Sequence, residues 1–200
     1  MMKGQNNNRP KTGSRITVDP IRRVKDIQAI SKLLSDSPRN HLLFVMGVNN
    51  GLRTGDLLNL YVGQLYDAKI GDTITLVEGK TNKTNILVVN KTIHKSLQNY
   101  FEKLKPKLAD YLFTSRKGEK AITIQCVNNM VKKWTRMINL KGNFGAHSLR
   151  KTWGYIQRTV YGVGFEVLCK RFNHSSPAIT MRYLGIEDKE VQNILMNEVG

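Results

Sequence analysis

Arg53 lies in the stretch Asn50-Gly51-Leu52-Arg53-Thr54-Gly55-Asp56-Leu57-Leu58. An arginine set in so much apolar sequence needs a partner. Asp56, three residues on, either pairs with it or holds its loop, and a purely structural Arg–Asp pair is the plain alternative. Gly79-Lys80-Thr81-Asn82-Lys83-Thr84 puts two lysines on a turn, where an ammonium group can enter a groove. Charged hairpin tips are more often only solvated. In Gly145-Ala146-His147-Ser148-Leu149-Arg150-Lys151-Thr152, His147 and Arg150 are three apart and share one helical face. Such a pair can meet one phosphate, or be a surface pair without a role. Arg171-Phe172-Asn173-His174-Ser175-Ser176-Pro177 precedes Thr180-Met181-Arg182-Tyr183-Leu184-Gly185. Ser176 is a helix cap with Pro177 at the first helical position, and Gly185 ends that helix. His174 and Tyr183 are then about 10 to 14 Å apart along the backbone, a gap that long side chains close. A half-buried core tyrosine is the ordinary reading of Tyr183. Each piece alone is modest, whereas the ordered set is far more specific.

The elements that must position these groups read as mainly α with a small antiparallel β-sheet, an α+β fold. Asp19-Pro20 begins a helix, with Ile21, Val24, Ile27, Ile30 and Leu33 or Leu34 at helical spacing. His41 to Asn50 reads as a buried helix, Gly51 interrupts it, and a short helix begins near Thr54. Two β-like runs, 73–77 and 86–89, flank the lysine turn as a hairpin, with an earlier strand near Tyr61 to Tyr66. Helices follow at about Lys91 to Lys103, Thr123 to Ile138, Ala146 to Tyr161, Phe165 to Phe172, Pro177 to Tyr183 and Asp188 to Asn197, with a brief extended piece at Tyr111 to Thr114.

The chain has 200 residues, enough for one full core, and 40% of them are apolar, which argues against wholesale disorder. Lys and Arg number 32 against 15 acids, a net charge of +17. That excess points to a polyanion, with nucleic acid ahead of membrane or acidic protein. The bias is spread over the chain: nine basic residues against three acids in 1–39, and ten against three in 80–120. A wide phosphate-binding surface fits this better than one basic tail. Aromatics are 8% of residues, so duplex binding is favoured over base stacking on single strands. Cys126 and Cys169 read as buried thiols of a reducing compartment. Four scattered histidines and two cysteines do not make a zinc site. No run approaches 18 apolar residues.

In order, the set resembles the tyrosine recombinase family, the phage-integrase-like site-specific recombinases. GLRTGDLLNL is similar to the family's first arginine motif, EGKTNKT to its hairpin lysine motif, and HSLRKTWG to its His-x-x-Arg box. FNHSSPAITMRYLG is similar to the closing His and Tyr boxes. The resemblance covers about Asp19 to Asn197. Asn173 stands where a glycine is usual, and Ser148 where an acid is common.

The resemblance implies the family's catalytic-domain fold and cleavage of DNA through a 3′-phosphotyrosyl intermediate. Integration, excision or inversion of DNA, as in a phage or mobile element, follows. Tyr183 is the implied nucleophile. Arg53 and Arg150 clamp the non-bridging oxygens, and His174 adds a hydrogen bond to them. Lys80 protonates the leaving 5′-oxygen, with Lys83 the alternative acid. His147 assists proton transfer at Tyr183. Asp56 is a structural support. No cofactor, metal or ATP is implied. The implied partners are double-stranded DNA, further copies in a homotetramer on paired sites (a monomer in isolation) and accessory DNA-bending proteins. A cytoplasmic, nucleoid-associated location without membrane contact is expected. Residues 1–18 are expected to form a basic, disordered arm and 19–200 the catalytic domain, its last helix packing on a neighbour. A relaxing topoisomerase with the same active residues, a DNA-binding regulator without catalysis, a membrane- or acidic-protein-binding protein and a metal nuclease are the competing readings.

Overall fold

A computed structural model of the chain describes residues 17–79, 82–116 and 118–186, together with 195, 196 and 198. Its helices are α1 (Val24–Leu33), α2 (Pro38–Asn50), α3 (Thr54–Leu58), α4 (Lys91–Leu104), α5 (Ile124–Met137), α6 (Ala146–Thr159), α7 (Phe165–Phe172) and α8 (Pro177–Leu184). Strands β1 (Thr73–Val77) and β2 (Thr84–Val88) pair antiparallel, with Thr75 opposite Ile86. The mainly α reading with one small sheet is therefore borne out.

Apolar side chains collect in two separate clusters. The larger joins α2, α4 and α5 to the inner face of the hairpin, through Leu42, Met46, Leu87, Ile93, Val131 and Trp134 among others. The smaller is built from Phe165, Leu168, Phe172, Leu184 and Ile186, with Trp153 and Tyr183 against it. Helix α6 runs between them: Leu149 belongs to the first cluster and Trp153 packs on the second.

Three local expectations change. The first helix starts at Val24, not at Asp19-Pro20. Residues 19–21 dock on α6 and its approach instead. Asp19 N–H donates to the Asn143 carbonyl at 2.7 Å, Asn143 N–H donates to the Asp19 carboxylate at 2.9 Å, and Ile21 N–H donates to Thr152 Oγ1 at 2.8 Å. A carboxylate and amides engaged in these long-range bonds cannot also start a helix. The strand expected at Tyr61 to Tyr66 is a single bridge, Tyr61 to Tyr111, followed by a 3₁₀ turn at Val62–Gln64. Cys126 is only half-buried, whereas Cys169 is buried. The helix expected at 188–197 falls largely outside the described residues.

Gly51 ends α2 at φ 61°, in the left-handed region. A Cβ there would lie 2.4 Å from the Trp153 ring. Gly51→Ala therefore carries backbone strain and a clash with a ring in the second cluster. We expect it to cost about 2–4 kcal/mol, read from the urea midpoint at unchanged m-value.

Candidate active site

The groups singled out in the sequence come from four places. Arg53 is the residue before α3, Lys83 lies at the hairpin turn, His147 and Arg150 are on α6, and His174 and Tyr183 flank or belong to α8.

Arg150 is 3% exposed. Its Nη1 donates to the Gly51 carbonyl at 2.6 Å, and its Nη2 donates to the Phe172 carbonyl at 2.8 Å. The guanidinium also lies 4.7 Å from the centre of the Phe172 ring. Burial pushes its pKa down to about 10, which still leaves it charged at neutral pH. A fixed fork in a dry site suits the oxygens of a phosphoryl group.

Arg53 meets the carboxylate of Glu78, the residue after β1, through Nη1 and Oε2. Glu78 is fully buried, and Asn85 Nδ2 donates to its Oε1 at 2.7 Å. Asp56 Oδ1 accepts the Gly79 N–H at 3.1 Å, so this carboxylate holds the hairpin turn, a contact different from the Arg53 pair or Arg53 loop expected of it. Burial raises the Asp56 carboxyl, partly offset by that amide. Lys80 lies outside the described residues. Lys83 is exposed at the turn, and its carbonyl accepts the Glu78 N–H at 2.9 Å.

Helix α7 closes at Asn173, at φ 54°, with the His174 N–H returning to the Cys169 carbonyl at 3.0 Å. This closure aims His174 toward the site. His174 Nδ1 shares a hydrogen bond of 2.9 Å with Thr180 Oγ1 on α8. The Tyr183 ring packs edge-on to His174 at 5.2 Å and to Phe172 at 5.4 Å. Its hydroxyl is enclosed and has no well-aligned hydrogen bond among the described residues. Burial raises the phenol pKa, and the Arg150 guanidinium is near enough to oppose that rise. Arg53, Arg150, His174 and Tyr183 are thus brought together, whereas His147 is exposed one turn before Arg150.

Three groups without an assigned role in the sequence reading also belong here. Glu78 follows the inward parity of Ile74 and Leu76, so period-two alternation marked it. Arg171 on α7 donates from Nε to the Asn50 carbonyl at 2.9 Å and from Nη1 to Asn85 Oδ1 at 2.6 Å. Lys151 is buried, with Nζ 4.9 Å from the centre of the Tyr183 ring. No local sequence signal separated these two cations from solvated ones. Among the described residues, no three His, Cys, Asp or Glu side chains gather as metal ligands would, and no helix is long and apolar enough to cross a membrane.

The phage integrase family model matches residues 21–190. The chain belongs to this family. The probable integrase/recombinase YoeC of Bacillus subtilis is 33% identical over 174 residues, spanning 86% of this chain and 91% of that protein. A tyrosine recombinase of Pseudothermotoga lettingae is 30% identical over 167 residues, 82% of this chain and 56% of its own length. The crystal structure of XerA recombinase has the same fold, with a TM-score of 0.73 at 20% identity over 94% of this chain and 68% of XerA. As a member of the phage integrase family, the protein is a site-specific tyrosine recombinase, cleaving and rejoining DNA through a covalent intermediate. Its two departures from the family pattern have local causes. Asn173 sits in the left-handed region that favours glycine, and asparagine is the side chain that tolerates it best. Ser148 is fully buried, and its Oγ accepts the Gly145 N–H at 3.0 Å, closing the first turn of α6 as an acid would.

Burial, with the Arg150 and Arg53 charges adding to it, pushes the His174 pKa down from 6.5 to about 4. The imidazole is therefore neutral at pH 7. Between those two values the unfolded chain binds a proton that the folded chain refuses. His174's contribution to stability is thus complete above about pH 6.5 and is lost as the pH falls towards about 4. Imidazole NMR should show a His174 midpoint near 4 in the DNA-free protein. A midpoint near 6.5 contradicts this placement.

Proposed function

We propose that Tyr183 attacks the scissile phosphodiester, forming a 3′-phosphotyrosyl bond and releasing the 5′-oxygen. The observation that carries this is the enclosed Tyr183 hydroxyl beside the buried Arg150 guanidinium of the same chain. The phenol proton must leave as the oxygen–phosphorus bond forms, and we assign its transfer to His147. Arg150 and Arg53 hold the non-bridging oxygens, where negative charge grows. Neutral His174 donates a further hydrogen bond from Nε2, its Nδ1 being engaged with Thr180. Lys80 delivers a proton to the leaving 5′-oxygen, with Lys83 as the alternative. Religation runs the same steps backwards, so bond energy is conserved and no nucleotide is consumed.

The proposed assembly is a homotetramer on paired duplex sites, a monomer in isolation, with accessory DNA-bending proteins where the sites require bending. It acts in the cytoplasm, on the nucleoid, in integration, excision or inversion. We take 19–200 as the catalytic domain, which the docking of Asp19 to Ile21 on α6 supports, and 1–18 as a basic arm on the phosphate backbone.

A nicked duplex that traps the cleaved state tests the assignment, with substrates drawn from DNA flanking the gene. In EDTA the wild type should form a slow-migrating adduct on a denaturing gel, and Tyr183→Phe should form none. Arg150→Lys keeps the charge but loses the fork and should cut the adduct rate by about 10²–10³-fold. An adduct formed by Tyr183→Phe would remove Tyr183 from this role.

A further inference from the structure

The phosphate pocket already contains an anion. Glu78 is fully buried, paired with Arg53 and fastened by the Asn85 amide. Its charge is felt across the site. Burial lowers the pKa values of Arg150, Arg171 and His174, and the Glu78 carboxylate opposes each of these shifts. A carboxylate with that reach stands among the cations that the reaction needs. A buried anion beside a second anion is costly unless one of them leaves or is neutralised.

We propose that Glu78 is a built-in competitor of the scissile phosphate: it holds Arg53 in the DNA-free protein and must give the guanidinium up when DNA binds. The inference rests on the recombinase reading of the site. Glu78 is the residue directly after β1. Freeing Arg53 requires the Glu78 carboxylate to shift. The Asp56 bond to Gly79, the Lys83 carbonyl bond to Glu78 N–H, the Asn82 N–H bond to the Glu78 carbonyl and the Asn85 amide are among the contacts that resist this shift. The site thus keeps Arg53 neutralised by its own carboxylate until a phosphate arrives, which limits off-target contact with other anions.

The probe is inorganic phosphate, titrated at constant ionic strength into the full-length Tyr183→Phe chain with and without Glu78→Gln, with thermal stabilisation as the readout. Removing the competing charge should lower the half-saturating phosphate concentration by about tenfold. An equal or weaker phosphate response in Glu78→Gln overturns the proposal and leaves Glu78 as a scaffold for Arg53. A second measurement needs no substitution at Glu78. In the otherwise wild-type site, phosphate should shift the Arg53 guanidinium resonances and the Glu78 and Asn85 amides along one binding curve. Arg53 shifting while Glu78 and Asn85 stay fixed means that both anions share the pocket, and the proposal fails. Adduct formation on the nicked duplex is read separately. Its absence in the wild type counts against the recombinase chemistry, whereas phosphate affinity speaks to Glu78 alone.

Discussion

A buried polar seam between two apolar clusters organises this molecule, and Arg150 is its central staple. One guanidinium nitrogen bonds the carbonyl that follows α2, and another bonds the carbonyl that ends α7. Arg171 crosses the same seam in the opposite sense, from α7 to the last carbonyl of α2 and to Asn85 on β2. Taking two guanidinium groups out of water costs several kcal/mol each unless every donor is met. Carbonyls, an amide oxygen and the Glu78 carboxylate offset that cost. The two clusters cannot slide past one another without leaving these cations unpaired. The groups proposed to do chemistry are therefore held by the interactions that hold the fold together.

That constraint explains why the Tyr183 hydroxyl is already enclosed beside Arg150 in the DNA-free protein. Tyr183 is clasped by Phe172 and His174 on its edges and by the Lys151 ammonium over its ring. Its hydroxyl faces Arg150, whose position is set by backbone carbonyls rather than by substrate. What remains for DNA to do is local. On the proposal made for Glu78, it exchanges the partner of Arg53 while the seam stays closed.

Much of this was legible in the residues, because the motifs carry their own local geometry. Ser176-Pro177 starts α8 with the Ser176 hydroxyl accepting the Ile179 N–H, and Gly185 ends it at φ 68°. The three-residue spacing of His147 and Arg150 and the hairpin around the lysine turn were equally local. What stayed hidden depends on contacts between distant segments. Glu78, the partner of Arg53, lies 25 positions along the chain, whereas the nearby Asp56 was the partner that spacing offered. The start of α1 went wrong for the same reason, since Asp19 and Ile21 bond to residues more than a hundred positions away. The aromatic stretch at 61–66 has strand composition, but it forms only a bridge to Tyr111. Composition does not report that a pairing partner is one residue long.

The claim that Arg150 staples the two clusters is tested most directly by hydrogen exchange on the DNA-free protein, comparing the wild type with Arg150→Lys. A lysine cannot bond both carbonyls with a planar fork. Amide protection in α7 and α8 should fall by at least about tenfold, while α2 and α4 in the larger cluster keep theirs. Unchanged protection across 165–184 would contradict the account. The second cluster would then be held by its apolar contacts alone, and Arg150 would be a ligand for phosphate without being the staple of the fold.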